Sequence, residues 1–64
     1  MVKINGNNLD IAGTPLVRYL SDAGYDTARI AVEINGRIIP KNAYAETLLC
    51  DGDTVEVVSF VGGG

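Results

Sequence analysis

Three glycines, Gly62-Gly63-Gly64, follow Val61 and end the 64-residue sequence. The group they present is a backbone carboxylate. With a pKa near 3.5 it is ionised at neutral pH, and it is a poor electrophile until a better leaving group replaces one of its oxygens. Glycine has no Cβ and a high conformational entropy, so a run of three disfavours a packed element and suits a strand of chain threaded through a narrow channel. The expectation is a tail over residues 61–64 that projects into solvent, with Gly62 and Gly63 as the approach and Gly64 as the reactive end. Activating such a carboxylate requires an ATP-dependent partner. Taken alone, the tail equally fits a frayed terminus or a remnant of expression.

The rest of the sequence offers little other chemistry. It contains no histidine, which removes the commonest general base and the commonest metal ligand. Its one cysteine, Cys50, can form no intramolecular disulfide, which suits a reducing compartment. A free cysteine is more often a small buried hydrophobe than a nucleophile, and nothing near Cys50 in sequence would depress its pKa, so it is expected to be buried and to handle no sulfur. Metal chemistry and self-contained hydrolysis are therefore not expected, and the chain is expected to bind no cofactor of its own.

Charge excludes further classes. Five basic residues, Lys3, Arg18, Arg29, Arg37 and Lys41, are scattered among eight acidic ones, for a net charge of −3. Nucleic-acid binding calls for a positive patch, so it is not expected here. An acidic domain fits a partner with a basic docking surface. Met1-Val2-Lys3 leads into Asn5-Gly6 without the apolar run of a signal peptide, and no segment approaches membrane-spanning length, so the expected setting is the cytoplasm, away from membranes.

Elements must hold the tail in place, and the pattern predicts them. Val2 and Ile4 alternate with polar residues, as do Leu9 and Ile11, and Asn5-Gly6-Asn7 between them reads as a hairpin turn. Thr14-Pro15 predicts a helix start, with the Thr hydroxyl as cap and Pro at the first helical position. Leu16, Leu20 and Ala23, with Val17 beside them, form its apolar face, and Gly24 stops a helix of about residues 15–23. Ile30, Val32 and Ile34 predict a strand, Asn35-Gly36 a turn, and Arg37–Ile39 before Pro40 a short edge strand. Residues 42–49 read as a brief helical turn or an irregular loop. Asp51-Gly52-Asp53 then turns the chain into a strand from Thr54 to Phe60.

The order strand, strand, helix, strand, short strand, strand gives an α+β domain over residues 1–60, with one helix on one face of a mixed sheet. A β-grasp arrangement is the natural candidate. Since one helix covers one face, alternation places Val55 and Val57 beneath it and Glu56, Val58 and Phe60 on the other side. Val58 and Phe60 are the expected partner-docking residues near the tail, and the alternative is that Phe60 folds over a sheet edge as satellite core. Asp51, Asp53, Glu56 and Glu46 are read as a solvated acidic rim at the same end, available to basic residues across an interface. Tyr19, Tyr25 and Tyr44 are too isolated in sequence for a stacking platform and are expected to pack at the surface.

The closing run from Asp51 to Gly64, with Val32-Glu33-Ile34-Asn35-Gly36 and Ile39-Pro40, resembles the ThiS family of sulfur carriers in thiamine biosynthesis, and the similarity spans essentially the whole chain. The resemblance implies a ubiquitin-like fold. It further implies that an ATP-using ThiF-type enzyme adenylates the carboxylate of Gly64, that a sulfur donor protein supplies the sulfur of a thiocarboxylate, and that a ThiG-type thiazole synthase receives it. On that reading the chain is a recycled co-substrate and not an enzyme. Three alternatives stand beside it: a ubiquitin-like modifier joined through Gly64 to a lysine, a sulfur-carrying subunit of molybdopterin-synthase type, and a binding module whose glycines are incidental.

Overall fold

A computed structural model describes residues 1–60; the tail expected over residues 61–64 lies outside that range. Strands β1 (Val2–Ile4) and β2 (Asn7–Leu9) form the predicted hairpin. At its turn both Asn5 and Gly6 have positive φ, 49° and 85°, the backbone that a type I′ turn requires and that Asn and Gly tolerate best. Asn35 and Gly36 repeat this geometry between β3 (Ile30–Ile34) and β4 (Arg37–Ile39). β5 (Thr54–Ser59) completes a five-stranded sheet of order β2-β1-β5-β3-β4. The last strand in sequence is therefore central, parallel to β1 and antiparallel to β3. The predicted edge strand is an edge, and Pro40 follows it immediately.

The helix, α1, spans Leu16–Asp22 and differs from expectation at its start. Pro15 is extended, with φ −60° and ψ 138°, and Thr14 makes no capping hydrogen bond. The free amides are satisfied by backbone from a distant segment: Leu16 N–H donates to Thr47 O at 2.8 Å and Val17 N–H to Tyr44 O at 3.3 Å. Around them Gly13 N–H donates to Leu49 O, Leu49 N–H to Thr14 O, and Pro15 bridges Leu48. A tertiary pairing thus replaces the local cap, because backbone carbonyls already occupy the amides that a hydroxyl would have served. The stop is as predicted: Tyr25 N–H returns to Leu20 O and Gly24 N–H to Ser21 O, a Schellman motif that Gly24 closes at φ +84°.

One face of the sheet and the inner stripe of α1 enclose the core. Val2, Ile4, Ile30, Val32, Val55 and Val57 meet Leu16 and Leu20 there. Val17 and Ala23, expected to join that stripe, are exposed, because a helix of two turns laid on a sheet buries a narrow stripe, filled here by the i, i+4 pair Leu16 and Leu20. Ile11 lies outside β2, which stops at Leu9, and packs half-buried against the core from the turn closed by Thr14 N–H to Ile11 O. The span before β5 contains a 3₁₀ turn at Lys41–Ala43 followed by irregular chain, as the pattern allowed. It supplies two core residues, Leu49 and Tyr44. Tyr44 is only 3% exposed, which corrects the expected surface role: the same irregular chain that caps α1 lays this ring beneath the sheet.

Candidate docking face and the end of the central strand

β5 carries the site. Val55 and Val57 point into the core, as alternation requires, and Glu56 and Val58 point outward. Val58 is 57% exposed and Phe60 54%, so the satellite-core alternative for Phe60 does not hold. The register with β3 sets Ala31 opposite Val58 and Glu33 opposite Glu56 on the open face, and β4 brings Ile38 opposite Glu33. The result is a shallow, mainly apolar depression bordered by Ala31, Glu33, Ile38, Glu56 and Val58. Glu33 and Ile38 were missed as site residues. The outward direction of Glu33 was visible in its alternation with Val32 and Ile34, but Ile38 stands next to the equally apolar Ile39, and the positions of both strands beside β5 were not legible.

The end of β5 is held firmly. Phe60 N–H donates to Arg29 O at 2.7 Å, which ties the last described residue to the chain entering β3. Lys41 Nζ fastens the same region by donating to Thr27 O and Ile30 O. Along the β1 side, β1 itself reaches only Val55, and beyond it the Asn5 side chain takes over the pairing with Val57. In sequence, only Phe60 and Val61 separate the glycines from β5, a central strand held on both flanks. Gly62, Gly63 and Gly64 themselves lie outside the described residues.

The acidic rim is divided. Asp51 and Asp53 precede β5 and sit at the end of the strand opposite Phe60, about 20 Å away at some 3.3 Å per residue. Their proximity in sequence misled, because an extended strand separates its two ends. Asp53 is committed to the fold: one carboxylate oxygen accepts from Asn35 Nδ2 at 2.9 Å and the other from Cys50 N–H at 2.8 Å. Asp51 pairs with the Met1 ammonium, whose hydrogen bond and charge hold its carboxyl below the usual range. Glu56 alone of the proposed rim borders the depression on the open face of the sheet.

Cys50 is exposed, contrary to expectation, because the turn into β5 places it outside the core that its neighbour Leu49 fills. Burial pushes the Tyr44 and Tyr19 phenols upward, with Tyr25 adding to the shift at Tyr19, so both are neutral at physiological pH. Among the described residues no group of three or more His, Cys, Asp or Glu is placed to hold a metal ion. Nor is any helix there long and apolar enough to cross a membrane.

Comparison with known proteins gives a consistent picture. The model of the ThiS family matches residues 2–64. A crystal structure of the thiamine biosynthesis protein ThiS from Geobacter metallireducens superimposes with a TM-score of 0.78 at 30% identity, covering 98% of this chain and 97% of that one. The sulfur carrier protein ThiS of Bacillus subtilis is 54% identical over 35 residues, 55% of this chain and 53% of its own. A thiazole synthase of Paramagnetospirillum magneticum is 40% identical over 62 residues, 95% of this chain. The chain spans only 19% of that enzyme's length.

Proposed function

This chain belongs to the ThiS family, and from that premise we propose that it carries sulfur for thiazole formation on the carboxylate of Gly64. The observation that carries the reading is the family match through residue 64, which takes in the glycine run that follows the anchored central strand. A ThiF-type enzyme supplies the activation. A carboxylate oxygen of Gly64 attacks the α-phosphorus of ATP, pyrophosphate leaves, and an acyl-adenylate results. A hydrosulfide equivalent from a sulfur donor protein then attacks the acyl carbon and AMP departs with its oxygen. The product is a thiocarboxylate, and a proton is released. Exchange of a poor leaving group for a good one makes the carbon attackable, as covalent catalysis in general requires.

The chain's own part in this sequence is positional. Gly62 and Gly63 lack side chains that would clash with a narrow channel, and Val58 and Phe60 offer the enzyme an apolar surface beside the tail's origin. Burying Phe60 in that interface contributes roughly 1.5–3 kcal/mol. The chain ends each cycle with its carboxylate restored, which makes it a co-substrate of its partners. A thiazole synthase of ThiG type is the receiving enzyme. The ThiS-like stretch within the P. magneticum thiazole synthase supports an encounter between the two activities.

Intact mass spectrometry tests the reading. After incubation with ATP, the adenylating enzyme and a sulfur source, the full chain gains the mass difference of one oxygen replaced by sulfur, and a chain lacking Gly63 and Gly64 does not. An unchanged full chain with competent partners overturns the carrier role, and a mass increase equal to a lysine-linked target points to a protein modifier instead.

A further inference from the structure

The backbone of Phe60 is held through a relay that starts at Lys41. Its N–H donates to Arg29 O at 2.7 Å, one step beyond the last strand pair, Ser59 with Ile30. The exposed ring adds little packing of its own. Arg29 closes a 3₁₀ turn, Thr27–Arg29, in which no residue is buried. Such a turn has no core contact to hold it, so hydrogen bonds decide how firmly its carbonyls point. Two are local: the Asp26 carboxylate accepts from Ala28 N–H at 3.0 Å and the Asp26 carbonyl from Arg29 N–H at 2.9 Å. The tie to the rest of the domain is Lys41 Nζ, which donates to Thr27 O and Ile30 O, the carbonyls that flank Arg29. Lys41 in turn opens the 3₁₀ turn that leads into Tyr44, a core residue. Among the described residues the ion pairs are Met1 with Asp51, Arg18 with Asp22 and Arg29 with Asp26, so the Lys41 charge serves these carbonyls and not an acid.

We infer that Lys41 is a positioning residue for the reacting end of the chain: it fixes the Arg29 carbonyl, and that carbonyl fixes the residue from which the last four depart. The inference rests on the carrier reading above. Four residues span at most about 14 Å, so the reach of the Gly64 carboxylate is measured from Phe60. Without the bond at Phe60, the last residue held by the sheet is Ser59. The tether is then longer and its starting direction is lost. The concentration of a tethered group at a given point falls roughly as the three-halves power of tether length, and a lost direction lowers it further. Glycine constrains chain direction less than any other residue, so a glycine run depends all the more on the fixed point before it.

Amide hydrogen exchange and ATP–pyrophosphate exchange by the cognate adenylating enzyme test this on the full chain and its K41M and K41R variants. Methionine keeps the apolar stem and removes the three donors, whereas arginine offers donors to both carbonyls. In K41M the Phe60 amide is expected to exchange about tenfold faster, while the Val57 amide, held by Asn5, keeps its rate. The maximal rate of pyrophosphate exchange is expected to fall about threefold, with the half-saturating carrier concentration within about twofold of the unaltered chain. K41R is expected to recover about half or more of both losses. An unchanged Phe60 amide overturns the inference, and so does a faster Phe60 amide beside an unchanged maximal rate. Faster exchange at Val57 as well makes Lys41 a general stabiliser and overturns it too. A higher half-saturating concentration at full maximal rate overturns it in favour of a contact between Lys41 and the enzyme. Losses that arginine does not recover overturn the role of the two carbonyl bonds. No pyrophosphate exchange with the unaltered chain overturns the carrier reading itself and this inference with it.

Discussion

The side-chain amide of Asn5 pairs with the backbone of Val57 as a neighbouring strand would: Oδ1 accepts the Val57 N–H at 2.8 Å and Nδ2 donates to the Val57 carbonyl at 3.2 Å. Asn35 does related work at the other end of β5, accepting from Thr54 N–H at 2.9 Å while its Nδ2 donates to Asp53. Both asparagines also hold the positive φ of an Asn-Gly turn. Each residue therefore turns a hairpin and clamps the central strand, one at Thr54 and one three residues on at Val57.

Asn5→Gly keeps the turn backbone and removes the clamp, so it should cost about 1–3 kcal/mol for the two hydrogen bonds. Asn5→Ala also forces a Cβ into a left-handed conformation and should cost about 1–2 kcal/mol more. Urea denaturation of the two variants measures both steps. A glycine variant as stable as the unaltered chain would show that the clamp contributes nothing.

Leu20 and Val17 lie on the same helix with opposite burial, 0% and 38% exposed. Leu20→Ala should cost about 2–5 kcal/mol, a large part of the roughly 3–10 kcal/mol that a chain of this size possesses. Val17→Ala should stay within about 1 kcal/mol, since little apolar surface returns to water. Thermal melts followed by circular dichroism compare them, and equal losses would contradict the burial described.

Phe60→Ala should leave the fold intact and weaken association with the adenylating enzyme by about tenfold or more, in line with the burial of a large aromatic side chain. Isothermal titration calorimetry of the folded variant reads the affinity. An unfolded variant would instead make Phe60 part of the core.

Cys50 is exposed, so its thiol should react with a disulfide reagent in the native protein at a rate that unfolding changes little. Cys50→Ser should load sulfur on Gly64 as fully as the unaltered chain. Failure to load would bring the thiol into the transfer.

The carboxyl of Asp51 is held below its ordinary range by the Met1 ammonium. A carboxylate whose folded pKa lies below its unfolded value stabilises the fold above the unfolded value, and the contribution fades as pH falls through the folded one. Asp51→Asn should therefore lower the melting temperature slightly at neutral pH, and the difference should close as acid protonates the Asp51 carboxylate. Added salt should shrink it as well, because both partners are exposed. A difference independent of pH and salt would assign it to something other than the ion pair.

The sequence alone determined the local features. Alternation located β1, β3 and β5 and put Val58 outward, Asn-Gly marked both hairpin turns, and Gly24 marked the helix stop, because each depends on backbone preferences spanning a few residues; β2 lies two residues earlier than its alternation suggested. The glycine run and the closing segment likewise identified the family. What joins residues far apart in sequence came only with the tertiary structure. The carbonyls of Tyr44 and Thr47 replaced the expected Thr14 cap, Tyr44 entered the core, and Cys50 stayed outside it. Strand order decided the face: Glu33 and Ile38 became neighbours of Glu56 and Val58 because β3 and β4 stack beside β5. Alternation states which way a side chain points, but a strand's neighbour is set by the packing of the whole sheet under one helix, and no window of a few residues contains that information.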